Sequence, residues 1–131
     1  MDYSNIVGGD LEHMTVETNT FGNKNMYDNG QLIATQKSGV FPETTATYEN
    51  GHQIAGTKEN IINGIDIIQD GEHTGIIKED INGDLSLYDS NQNKLAYMDP
   101  EGNVKSVMNH MDPLSQVDRV NFQQLKFYAE G

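Results

Sequence analysis

From position 65 onward, apolar and polar residues alternate in short runs: IDIIQ (65–69), HTGII (73–77), DLSLYD (84–89), KLAYMD (94–99) and NVKSVM (103–108). A period of two turns one side chain toward a core and the next toward solvent, the pattern of half-buried strands. Turn signals begin at positions 63, 70, 82, 90 and 100, which leaves intervals of 7 to 12 residues. That spacing suits antiparallel strands of about five residues each. Strands joined this tightly pair with their sequence neighbours, so a meander is predicted.

The first half repeats the same grammar. YDNGQLIA at 27–34 returns as YENGHQIA at 48–55, with Tyr27/Tyr48, Asn29/Asn50, Gly30/Gly51, Ile33/Ile54 and Ala34/Ala55 identical. Asn-Gly is a strong hairpin signal because a type I′ turn needs two residues that tolerate positive φ. The chain carries Asn29-Gly30, Asn50-Gly51, Asn63-Gly64 and Asn82-Gly83, and Asp70-Gly71 has the same chemistry. Tyr27, Tyr48, Ile68 and Tyr88 each precede a turn, at separations of 21, 20 and 20 residues. A period near 20 is one hairpin, and the tyrosines are expected to pack on the sheet surface as cross-strand aromatics. Such YDxxG hairpin repeats, over about positions 27–104, resemble those of several bacterial and phage β-repeat proteins.

The flanks differ. Residues 1–25 are polar, with MTVET (14–18) able to form an edge strand, and Pro42 breaks the ladder before TTATY. After position 109 the period changes. Asp112 suits an N-cap and Pro113 the first helical turn. Leu114, Val117, Leu125 and Tyr128 then fall on one helical face, which predicts an amphipathic helix over 113–128 within a C-terminal region 112–129. A strand at QLKFY is the competing assignment. The expected fold is therefore mainly β: one domain, 1–131, with hairpin repeats over 26–109 forming an open or curled antiparallel meander, plus one C-terminal helix. That helix would cap an open sheet end, cover one sheet face, or meet its own copy through the Leu114, Val117, Leu125 and Tyr128 stripe.

Composition narrows the functional classes. Hydrophobic residues make up 35% of the 131, with no Trp, so the core is thin and association with a partner or a second copy is expected. The net charge of −12 repels phosphate and argues against direct nucleic-acid binding. There are no cysteines, which excludes disulfides and thiolate chemistry. No run is long and apolar enough to span a bilayer, and the first residues lack the features of a secretory leader. A cytoplasmic protein fits, in the host cytoplasm if phage-encoded.

Candidate chemistry is sparse. His13, His52, His73 and His110 show no metal-ligand spacing. Asp80, Asn82 and Asp84 alternate like the start of a calcium loop, but Leu85 and Asn91 occupy the positions that would need Gly and Glu. No nucleophile–base set and no nucleotide-binding loop is visible. No enzyme, cofactor or metal is expected. The densest acidic stretch holds Asp66, Asp70, Glu72, Glu79, Asp80, Asp84 and Asp89 against Lys78. It is the candidate contact of an acidic accessory or inhibitory module that docks on a basic protein surface. The alternative is a self-associating structural β-repeat protein, part of a fibre or surface assembly.

Overall fold

The computed structural model describes residues 14–60, 64–79, 83–99, 103–107 and 115–130. Ten strands follow in chain order: β1 (Thr15–Thr18), β2 (Lys24–Asp28), β3 (Gln31–Ser38), β4 (Thr44–Glu49), β5 (His52–Asn60), β6 (Gly64–Gln69), β7 (Glu72–Glu79), β8 (Leu85–Asp89), β9 (Lys94–Met98) and β10 (Val104–Ser106). One helix, α1 (Gln116–Glu130), closes the chain. All neighbouring strands pair antiparallel in the order β1 to β10, and β1 and β10 remain edges. This is the predicted open meander with a C-terminal helix.

The repeated phrase encodes a bulged hairpin. In β2–β3, Met26 faces Ala34 while Tyr27 faces Leu32, so Ile33 is an extra residue. The same slip makes Ile54 extra in β4–β5, Thr74 in β6–β7 and Leu95 in β8–β9. An extra residue on one strand bends it and increases the local twist. The turns between the paired strands are the expected type I′: Asn29 and Gly30 have φ of 52° and 82°, Asn50 and Gly51 54° and 80°, Asp70 and Gly71 54° and 79°. The β8–β9 connection is longer and is tied by Asp89 Oδ1, which accepts from Asn91 N and Asn93 N at 2.9 Å each.

Of the expected Asn63-Gly64 and Asn82-Gly83 turns only the glycines are described, and Gly83 has the same positive φ, 85°. Asn63 and Asn82 lie outside the described residues, and Gly64 is the first residue of β6 with φ 136°. The place of its missing Cβ is taken by Ile77 O across the pair, so close backbone approach requires this glycine.

After each extra residue comes a small one: Ala34, Ala55, Gly75 and Ala96. All are buried, on the sheet face shared with their partners Met26, Thr47, Ile67 and Leu87. This is the inner face, and α1 lies against it. The helix packs on both edge strands, β1 and β10, as well as on β5 through β9. A flat sheet of this width would span about 45 Å, whereas a helix is only about 10 Å across, so the sheet must curl around it. From Arg119 to Phe127 every helical residue is at most 2% exposed.

The helix thus covers one sheet face, one of the placements expected for it, but its polar side chains are enclosed as well. Arg119, Asn121, Gln123, Gln124 and Lys126 read as a solvent face in the sequence, yet all are buried. Polar side chains from the sheet answer several of them. Asn121 Oδ1 accepts from Gln69 Nε2 (2.9 Å) and Thr74 Oγ1 (3.0 Å), and its Nδ2 donates to Thr74 O (3.0 Å). Gln124 Oε1 accepts from Gln36 Nε2 (3.2 Å) and Thr47 Oγ1 (3.1 Å). Apolar contacts complete the core, where Phe122, Leu125 and Phe127 join Met26, Ile67, Ile77 and Leu87.

The helix starts at Gln116. Ser115 Oγ accepts from Asp118 N at 3.0 Å and Ser115 O from Arg119 N at 2.9 Å, which makes Ser115 the N-cap. The expected cap Asp112, with Pro113 and Leu114, lies outside the described residues. At the other end Lys24 Nζ donates to Phe127 O at 2.8 Å, placing a cation where the helix carries its negative pole.

Candidate functional site: two unlike rims

Alternation of strand direction gives the sheet two rims. The turns of the four bulged hairpins share one, the hairpin rim. The opposite strand ends, with the β1–β2 and β3–β4 loops, share the other, the loop rim. The N-terminus of α1 lies at the hairpin rim, where Gln69 Nε2 donates to Val117 O at 3.0 Å. Its C-terminus lies at the loop rim, beside Lys24.

The acidic stretch of the sequence is divided between them. Asp70, Glu72 and Asp89 stand at the hairpin rim. Glu79 and Asp84 stand at the loop rim, and Asp80 lies outside the described residues. Asp66 is on the outer face of β6, with Oδ1 3.2 Å from His73 Nε2, an ion pair when that histidine is protonated. The eight residues of β7 separate the rims by about 26 Å, several screening lengths at physiological salt. The six described acids of that stretch therefore do not form one field.

The hairpin rim gathers others in their place. Asp28 and Glu49 end β2 and β4 at the same rim as Asp70, Glu72 and Asp89, and Asp118 stands there in the first turn of α1. Among the described residues the exposed lysine at this rim is Lys94, and the exposed His52 and His73 stand at the starts of β5 and β7 there. Burial raises the Asp118 carboxyl above the ordinary value, the hydrogen bond with Ser115 opposes that rise, and the Asp89 charge adds to it. Asp28, Glu49 and Asp118 were absent from the sequence-based candidates. The signal was present: the residue after the repeat tyrosine is acidic at Tyr27-Asp28, Tyr48-Glu49 and Tyr88-Asp89.

The loop rim is mixed in charge and carries apolar tips. Lys24, Lys37, Lys58 and Lys78 end strands there among Glu17, Glu43, Glu59 and Glu79. Phe21, Val40 and Phe41 are 87%, 96% and 73% exposed. Two adjoining clefts open at this rim on either side of Tyr128. One, of about 460 Å³, runs under the β3–β4 loop past Phe41, Glu43, Thr45, Thr57, Glu59 and Ile65. The other, of about 450 Å³, is bounded by Gly64, Ile77, Lys78, Glu79 and Leu85.

Of the helical residues expected at an oligomer contact, Leu125 is in the core. Val117 and Tyr128 are 43% and 49% exposed at opposite ends of α1. Leu114 lies outside the described residues. The helix thus presents no continuous apolar stripe between Val117 and Tyr128. On the outer sheet face, lysine ammonium groups cover three tyrosine rings: Lys37 over Tyr48 (5.5 Å), Lys78 over Tyr88 (4.8 Å) and Lys94 over Tyr97 (5.2 Å).

Among the described residues no three His, Asp or Glu side chains converge as metal ligands, and no helix is long and apolar enough to cross a membrane. Comparison with family models, curated proteins and solved structures finds no match for this chain.

Proposed function

We propose that the protein is a non-enzymatic acidic binding module that docks through its hairpin rim on a basic surface of another protein. The observation that carries this reading is the row of Asp28, Glu49, Asp70, Glu72 and Asp89 along the rim where α1 begins, with Lys94 as the exposed lysine described there. Clustered like charges raise the rate of encounter with a positive partner and disfavour acidic ones. The type I′ turns suit the role, because they hold the carboxylates on short connections between paired strands. An accessory or inhibitory protein of a bacterium, phage or mobile element, working in the cytoplasm, is the setting that fits this size and charge.

Decalysine serves as a probe of the rim. Its binding to wild type is compared with that to Asp28→Asn/Asp70→Asn/Glu72→Gln and to a charge-matched control, Glu17→Gln/Glu79→Gln/Asp99→Asn. The reading requires a weaker complex and a shallower salt dependence for the first variant only.

A second reading is favoured by Phe21, Val40 and Phe41. Apolar tips this exposed are typical of contact surfaces. They support a self-associating structural β-repeat. Light scattering separates the two readings: a mass above the 14.6 kDa monomer that persists at high salt favours assembly.

A further inference from the structure

We infer that the cleft under the β3–β4 loop receives an arginine side chain of a partner protein. The inference goes beyond the hairpin-rim reading, because the cleft lies at the opposite rim.

The cleft has two kinds of wall. Phe41, Ile65 and Tyr128 supply apolar and aromatic surface, while Glu43 and Glu59 are the charged residues among the described ones that line it. Its volume of about 460 Å³ is that of a site for a small group. Among the described residues neither carboxylate has a cationic partner. The Thr45 and Thr57 hydroxyls satisfy each other at 2.5 Å and add no charge.

These walls select one kind of occupant. An anion would meet two carboxylates. A neutral apolar side chain would strip water from those carboxylates without pairing them, which is costly. A guanidinium on a three-carbon stem meets both demands. The stem lies against Ile65, and the flat cationic head can pair with Glu59 while stacking on an aromatic ring. Lysine fits less well, because its ammonium offers no plane to stack.

The loop is built to hold this arrangement. Glu59 N donates to Glu43 O at 3.0 Å, fixing the two acidic residues side by side. Gly39 N donates to Thr44 O at 2.8 Å, and Thr44 Oγ1 to Phe41 O at 2.6 Å. Glu43 has φ 62°, where glycine would be at ease and a long side chain is not. Val40 and Phe41 project beside the cleft mouth and would flank the bound residue with apolar contacts.

The test uses N-acetyl-arginine methylamide against its neutral isostere, N-acetyl-citrulline methylamide. Backbone amide shifts are followed in the full chain. The expected result is a set of shifts confined to Thr45, Thr57, Glu59, Ile65 and Tyr128 with the arginine probe. Binding of the citrulline probe should be weaker by about tenfold or more, the scale of a charge-assisted hydrogen bond. Glu59→Gln should remove the preference while leaving the rest of the spectrum in place. Asp70→Asn/Glu72→Gln should leave it unchanged. Equal binding of the two probes, shifts centred on Asp28 and Asp70, or wild-type binding by Glu59→Gln would each overturn the inference. Failure of decalysine to use the hairpin rim would leave this result standing, so the two ideas fail separately.

Discussion

Gly75 of β7 lies directly beneath Asn121 of α1: a Cβ at Gly75 would come within 2.9 Å of Asn121 Nδ2 and 2.9 Å of Tyr88 O. The helix is seated on the smallest residue of the Ala34, Ala55, Gly75, Ala96 series, at the point where Asn121 bonds to Gln69 and Thr74. Gly75→Ala should therefore destabilise the fold by about 1–3 kcal/mol, the usual cost of overpacking. Chemical denaturation measures it. A midpoint equal to that of wild type would place the helix farther from β7 than described.

The turns make a paired prediction. Gly51 has φ 80°, so Gly51→Val should cost about 1–3 kcal/mol through backbone strain. Glu43, with φ 62°, should respond in the opposite sense: Glu43→Gly should leave stability unchanged or raise it by up to about 1 kcal/mol. Thermal melts of both variants test the pair, and a loss of stability in Glu43→Gly would show that its side chain holds the loop.

Gln123 is fully buried, and among the described residues neither its Oε1 nor its Nε2 has a hydrogen-bond partner. Replacing it by the similarly sized Met removes an unanswered polar group from the interior. Stability should rise by about 1–2 kcal/mol, within the range for an unsatisfied buried amide. A clear loss in denaturant would mean that the amide is satisfied.

Asp118 predicts a pH effect. Its carboxyl is raised above the ordinary value near 3.8, chiefly by burial. The folded chain thus binds this proton more readily than the unfolded chain. In the window just above the ordinary carboxylate range, its contribution to stability grows as pH falls and is lost as pH rises through the folded value. Asp118→Asn should remove that component. The stability difference between variant and wild type should accordingly shift in favour of the variant on going from acid to neutral pH. A difference that moves the other way would contradict the raised carboxyl.

The hairpins were legible because type I′ turns write themselves locally, in residues such as Asn50-Gly51 that accept positive φ. Strand alternation did the same for β6 to β10. The bulges were not legible: that Ile33 and Thr74 are extra residues depends on which partners Tyr27 and Ile68 choose across the pair. The enclosed helix was hidden for a related reason. Asn121 and Gln124 read as solvent-facing until Gln69, Thr74, Gln36 and Thr47 are brought to them by a curled sheet. The acids were sorted by strand direction rather than by proximity in sequence, so Glu72 and Glu79, on one strand, separated to opposite rims. Asp28 and Asp118, ninety positions apart, joined the same one.

The central claim is that the hairpin rim is the docking surface, and amide shift mapping with decalysine tests it most directly. The account predicts shifts concentrated at Asp28–Gly30, Glu49–Gly51, Asp70–His73 and Asp89–Asn91, weakened by added salt and by Asp28→Asn/Asp70→Asn/Glu72→Gln. Shifts spread equally over the loop rim, or equal weakening by the Glu17→Gln/Glu79→Gln/Asp99→Asn control, would contradict it.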